Sequence, residues 1–196
     1  MMRIITGRAK GIRLETLEGD NTRPTAERVK EAVFSAIQFD IEGRVVLDLF
    51  AGSGQMGLEA LSRGAERAVL CDHSKSAVGI IKKNVFKTKL EGAYVACADF
   101  AEFLRSFDAK KNGKYDIVFL DPPYAEKVIP KALTLLIEND LIKPTTIIVC
   151  ESGSDADVFG ANHGLSEKFE TIKSKKHGVA YINILTPKHE EDESDE

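Results

Sequence analysis

The chain of 196 residues predicts a doubly wound α/β fold. The expected sheet is mostly parallel and seven-stranded, with an antiparallel carboxyl-terminal edge, and a short β-hairpin and a helix precede it. Three observations carry this. Apolar strand-like runs alternate with helical stretches through the middle of the chain. A glycine-rich turn follows the first run and opens a helix. After Glu151 the alternation stops, and two extended segments follow with no helix between them.

In chain order, residues 3–17 predict the hairpin: "RII" and "IRLETL" flank "TGRAKG", where Gly7 and Gly11 supply permissive backbone. Residues 19–24 are loop. Thr25 is placed to cap a helix whose apolar positions Val29, Val33 and Ile37 recur every four residues, with Ala32 and Ala36 beside them. Strand-like runs follow at 44–49, 67–71, 93–97, 115–120 and 145–150, with helices near 55–63, 75–87, 99–107 and 127–138. "EKFETIKSKKH" and "VAYINILTP" read as an antiparallel pair at the sheet's edge. The expected organisation is a basic hairpin-and-helix extension over 1–42, an α/β body over 43–188 and an acidic disordered tail over 189–196.

Composition is that of a soluble globular protein, with 43% hydrophobic and 30% charged residues. No apolar run is long enough to span a bilayer, and the amino terminus lacks a signal-peptide segment, so a cytoplasmic protein is expected. Cys71, Cys97 and Cys150 have no CxxC spacing and read as buried small hydrophobes. The four histidines make no metal-ligand spacing, and no metal is expected. The net charge of −4 conceals an asymmetry. Six of the 31 acids stand in the last eight residues, so 25 acids face 27 basic residues in the rest of the chain. Arg3, Arg8, Lys10 and Arg13 fall in the first fourteen residues with no acid among them, which suits either phosphate contact or a solvated hairpin. Lys173, Lys175, Lys176 and His177 offer a second phosphate surface.

"VVLDLFAGSGQMGLEAL" satisfies G-x-G-x-x-G with Gly52, Gly54 and Gly57, a pattern that by itself suits a dinucleotide. Asp48 argues against one. A carboxylate beside the loop opposes a pyrophosphate and favours a cofactor that carries cationic groups and no phosphate, as S-adenosylmethionine does. Gly52 and Gly54 let the backbone approach such a cofactor closely. Asp72 ends the next strand, where a carboxylate accepts from ribose hydroxyls. Asp99, beside Phe100, ends the one after and suits an adenine amino group and ring face. Each acid taken singly also reads as a helix cap.

"DIVFLDPPY" ends a buried strand on Asp121, Pro122, Pro123 and Tyr124. Prolines cannot join a sheet ladder, so the strand stops there. An exocyclic amine on a base is a poor nucleophile, because its lone pair is delocalised into the ring. Acceptors on its N–H bonds, here Asp121 and the Pro122 carbonyl, favour a pyramidal nitrogen. The prolines stiffen that geometry, and Tyr124 stacks on the base. This points to a planar amine in an unstacked base.

Together, "RIITGRAKGIRL", "TRPTAERVKEAVFSAI", "LDLFAGSGQMGLEALSRGA" and "DIVFLDPPY" resemble the RsmD-type family of class I methyltransferases, over roughly residues 2–186. The resemblance implies S-adenosylmethionine-dependent methylation of the 2-amino group of a guanine in small-subunit ribosomal RNA. It implies Asp121, Pro122 and Tyr124 at the target base. The methionine end of the cofactor would lie near Asp48 and Gly52, the ribose at Asp72, and the adenine at Asp99 and Phe100, with Phe50 and Gly54 completing the cofactor set. Arg3, Arg8, Lys10, Arg13 and Arg23 would meet RNA, within a small-subunit particle or its precursor, from a monomeric enzyme. Family members often carry glutamate at the position of Asp72, and the acidic tail has no counterpart. The competing readings are an adenine 6-amino methyltransferase and a non-catalytic, cofactor-binding RNA chaperone.

Overall fold

A computed structural model of the chain describes residues 2–17 and 24–188. Arg23 and the acidic tail lie outside the described residues. One seven-stranded sheet has the order β3-β2-β1-β4-β5-β7-β6. Strands β1 (Val45–Asp48), β2 (Arg67–Asp72), β3 (Ala93–Cys97), β4 (Tyr115–Leu120) and β5 (Ile142–Ser152) are parallel. Strands β6 (Phe169–His177) and β7 (Ala180–Pro187) are antiparallel, and β7 lies between β5 and the edge strand β6. The predicted fold class is borne out. The order reverses between β1 and β4, where sheets of this kind open a crevice at their carboxyl ends.

Helices cover both faces. α1 (Pro24–Ala36), α2 (Gln55–Ser62) and α3 (Lys75–Thr88) take one side; α4 (Phe100–Ser106) and α6 (Ile129–Glu138) take the other. The chain also makes two four-residue helices, α5 (Ala109–Asn112) and α7 (His163–Ser166), too short to leave a periodic signal. All six residues of β4 are buried, as expected for a parallel strand between two helical layers. Ile117 and Phe119 face the α1 side, and Val118 and Leu120 face the α6 side. Each such side chain contributes about 1.5–3 kcal/mol by its burial.

Two sequence expectations are corrected. Thr25 lies inside the first turn of α1 instead of before it, because the helix already includes Pro24, whose missing N–H costs nothing in a first turn. Cys97 is exposed, while Cys71 and Cys150 are buried, because β3 is the sheet's outer strand and lacks a neighbour on one side. Among the described residues, no helix is long and apolar enough to cross a membrane.

The amino-terminal hairpin is reduced to a single bridge, Arg3 with Arg13, and is clamped onto α2. Glu59 of α2 is fully buried; its carboxylate accepts the Ile5 amide at 2.7 Å, the Thr6 amide at 3.0 Å and Arg63 Nε at 2.8 Å. Lys30 of α1, 2% exposed, stands 3.6 Å from the same carboxylate and donates to the Arg3 carbonyl at 2.6 Å. Ser62 receives the Ala9 amide and donates to the Thr6 carbonyl. Gly7 sits at φ +84°, and a Cβ there would fall 1.8 Å from the Ser62 carbonyl oxygen, so only glycine allows this approach. Further along, buried Asn84 of α3 exchanges hydrogen bonds with both backbone groups of Glu15 and donates to the Ser53 carbonyl, tying hairpin and glycine loop together.

Candidate active site

The carboxyl ends of β1, β2 and β3 meet around the glycine loop. Asp48 is 3% exposed, and its Oδ2 accepts the Gly57 amide at 2.9 Å. Burial pushes its carboxyl up to about 7; the Gly57 bond opposes this, and neighbouring Asp72 adds to it. Asp72 Oδ2 accepts the Gly52 amide at 2.9 Å, and Oδ1 accepts the Ser74 amide at 2.8 Å. Asp99 caps α4 through Oδ1, which takes the amides of Ala101 and Glu102 at 2.8 and 3.2 Å. Phe50 and Phe100 pack with centroids 5.3 Å apart, and Lys131 Nζ lies 5.5 Å above the Phe100 ring. The structure therefore brings Asp48, Phe50, Gly52, Gly54, Asp72, Asp99 and Phe100 to one end of the sheet.

The residues present fit S-adenosylmethionine. No lysine or arginine stands between Asp48 and Gly57, so nothing in the loop neutralises a pyrophosphate. Gly52, at φ +54°, has open space where a Cβ would project, leaving its backbone free to face a ligand. Gly57 serves packing instead, since a Cβ there would come 2.9 Å from Leu70 Cδ2.

The ends of β4 and β5 differ in character. Asp121 lines a cleft that is open to solvent. Val29, Lys30 and Val33 of α1, Met56 of α2, and Glu151 of β5 are among its walls. Asp121 has exposed area, yet protein crowds around it. Its carboxyl is held well above the usual carboxylate range by desolvation first, then by the charges of Glu151 and Asp48. Pro122 is buried, and Tyr124 is 37% exposed. Tyr124 Oη donates to Glu151 Oε1 at 2.7 Å. Gly153 backs the Tyr124 ring, where a Cβ would stand 3.2 Å from Cδ2. Burial raises Glu151 as well, against the Tyr124 hydrogen bond and the nearby charge of His177.

A second groove adjoins this cleft and shares Val33 and Ile182 with it. Lys173, Lys175 and His177 occupy alternate positions of β6 on the side of α1, facing its small residues Ala32, Ser35 and Ala36. Lys176 falls on the other face, with its Nζ 5.1 Å above the Tyr181 ring.

The basic hairpin does not converge on the cleft as a unit. Arg3 pairs with Glu27 at 2.7 Å. Arg8 donates to the Leu61 carbonyl near the far end of α2, roughly 10 Å along that helix from its cleft-facing first turn. Lys10 and Arg13 are exposed. Sequence reasoning missed Glu59, Lys30 and Glu151. Glu59 had a visible signal: a carboxylate among Leu58, Ala60 and Leu61, where an amphipathic helix should be apolar.

This sheet order, with its glycine loop and acidic strand ends, defines a class I methyltransferase fold. Residues 2–186 match the family described as Conserved hypothetical protein 95, and the chain belongs to that family. It is 34% identical over 185 residues to ribosomal RNA small subunit methyltransferase D of Haemophilus influenzae, covering 93% of this chain and 92% of that one. The protein of the same name in Escherichia coli K12 is 34% identical over 151 residues, 77% of this chain and 74% of that one. A solved Escherichia coli structure, provisionally described as a methyltransferase, superposes with a TM-score of 0.80 at 28% identity, covering 95% and 97% of the two chains. The RsmD-type resemblance seen in the sequence is thereby borne out.

Proposed function

We propose that the chain methylates the 2-amino group of a guanine in small-subunit ribosomal RNA, using S-adenosylmethionine. The observation that carries this reading is Asp121. It is a carboxylate at the end of a buried strand, stiffened by two prolines, opening into a cleft beside the glycine loop. The relatives named for ribosomal RNA methylation support the substrate class.

When bound, S-adenosylmethionine supplies an electrophilic methyl group. Asp48 and Gly52 hold its amino-acid end, Asp72 its ribose hydroxyls, and Asp99, Phe50 and Phe100 its adenine. Asp121 and the Pro122 carbonyl accept the two N–H bonds of the target amine, aiming the nitrogen lone pair towards the glycine loop. Tyr124, fixed through Oη and backed by Gly153, offers its free face to the base. The raised affinity of Asp121 for protons suits it to receive the proton that leaves nitrogen. Lys173, Lys175 and His177 hold the RNA backbone that enters beside the cleft, with Lys10 and Arg13 on a more distant stretch.

The test uses labelled S-adenosylmethionine with undermodified small-subunit particles and with protein-free RNA, followed by digestion to nucleosides. Label in N2-methylguanosine is expected. Label in N6-methyladenosine, or none in either substrate, would overturn the proposal.

A further inference from the structure

Asp121 has a neighbour that the reading above leaves unused. In the parallel pairing of β4 with β5, Phe119 lies beside Val149 and Leu120 beside Cys150. The next residues in step are Asp121 and Glu151. Phe119 and Val149 belong to the α1 side, and Leu120 and Cys150 to the other. Alternation returns Asp121 and Glu151 to the α1 side, and both line the same cleft. Adjacent strands run about 4.8 Å apart, so the sheet sets two carboxylates side by side at the place where the base enters.

Two such neighbours repel, and the surroundings do little to relieve them. Lys30, on the opposite wall, is engaged with the Arg3 carbonyl and Glu59. Tyr124 supplies one donor to Glu151 Oε1, which also fixes how that side chain points. His177 contributes a nearby charge that favours ionised Glu151. A ligand with adjacent N–H donors on one edge would satisfy both carboxylates. Guanine has this edge: N1–H stands next to the 2-amino group. Adenine and cytosine instead set a ring-nitrogen acceptor beside their amino group, and its lone pair would face a carboxylate.

We infer that Glu151 is a specificity-determining residue that accepts the N1–H of the target guanine while Asp121 holds its 2-amino group. This inference rests on the guanine reading and explains how the cleft chooses that base. Sites built to hydrogen-bond a polar group reject an analogue that cannot satisfy them by large factors.

The experiment compares guanine with 2,6-diaminopurine at the modified position, once that position is mapped. The analogue keeps the 2-amino group and turns N1 into an acceptor. The wild-type protein should prefer guanine by at least about 100-fold in kcat/KM. Glu151→Gln can turn an amide N–H towards N1 of the analogue, and should narrow that preference by at least about tenfold, in line with one polar contact. Its affinity for S-adenosylmethionine should stay at the wild-type value, which also reports a folded site. Equal discrimination by the two proteins, with N2-methylguanosine still formed, would sink this inference and leave the proposed function standing. Label on adenine in the wild-type protein would sink the function first.

Discussion

The two halves of the crevice treat their carboxylates in opposite ways. At the ends of β1, β2 and β3, Asp48, Asp72 and Asp99 each accept one or more backbone amides of the adjoining turn. These bonds hold the glycine loop and the starts of the adjoining helices in place. At the ends of β4 and β5, Asp121 and Glu151 stand against each other, with the Tyr124 hydroxyl bonded to Glu151. The first half is a preorganised cradle. The second is under-bonded, and under the proposed function it is the half that a donor-rich base would satisfy. A carboxylate that holds backbone amides and one left largely unbonded therefore look alike in sequence and differ in where their hydrogen bonds go.

Four perturbations test this contrast, from the largest effect to the smallest. Asp121→Asn removes charge from the under-bonded half. Single-turnover methylation with saturating cofactor should slow by two to three orders of magnitude, about 2.7–4 kcal/mol of transition-state stabilisation, with cofactor affinity nearly unchanged. Near-normal turnover would mean that the charge of Asp121 is not used. Asp72→Ala strikes the preorganised half. Calorimetric titration should show cofactor affinity falling by about 1.5–3 kcal/mol. Because Asp72 also carries the Gly52 and Ser74 amides, thermal stability should fall with it, and an unshifted melting curve would break the contrast.

Tyr124→Ala should cost about 1–3 kcal/mol of productive base placement, seen as a raised apparent RNA constant together with a slower reaction. A rise confined to the cofactor's constant would move Tyr124 into the other half. The smallest effect concerns pH. The carboxyl of Asp48, ordinarily near 3.8, is raised to about 7 in the folded protein. The native state thus holds a proton that the unfolded chain releases, and this group's contribution to stability falls as pH rises from about 4 to about 7. A cationic cofactor prefers the ionised form, so its affinity should rise by up to about tenfold from pH 6 to pH 8. Asp48→Asn should flatten that rise; a slope that survives the substitution would assign it to another group.

The cradle was legible in the sequence because its signals are local. Glycine spacing, the acid before it and the acids at two further strand ends all lie within short windows. The proline-stiffened Asp121 was legible for the same reason. Glu151 was not, because its relation to Asp121 comes from the register between two strands, which no single stretch records. The hairpin's charge was visible but its use was not: Arg3 and Arg8 spend bonds on Glu27 and the Leu61 carbonyl, contacts 24 and 53 residues away. Cys97 was misjudged because an apolar run looks the same on a central strand and on an outer one.

The clamp on the hairpin bears on how the chain is made. Ile5 and Thr6 give their amides to Glu59, and Glu15 exchanges bonds with Asn84, spans of 54, 53 and 69 residues. During synthesis residues 2–17 emerge before α2, so the acceptor for the Ile5 and Thr6 amides is missing until α2 is complete, and the partner of Glu15 waits for α3. Residues 2–17 therefore emerge early and dock late. The amides of Ile5, Thr6 and Glu15 should gain exchange protection only after the glycine loop has formed, so that docking of the hairpin marks the completion of the amino-terminal half of the sheet.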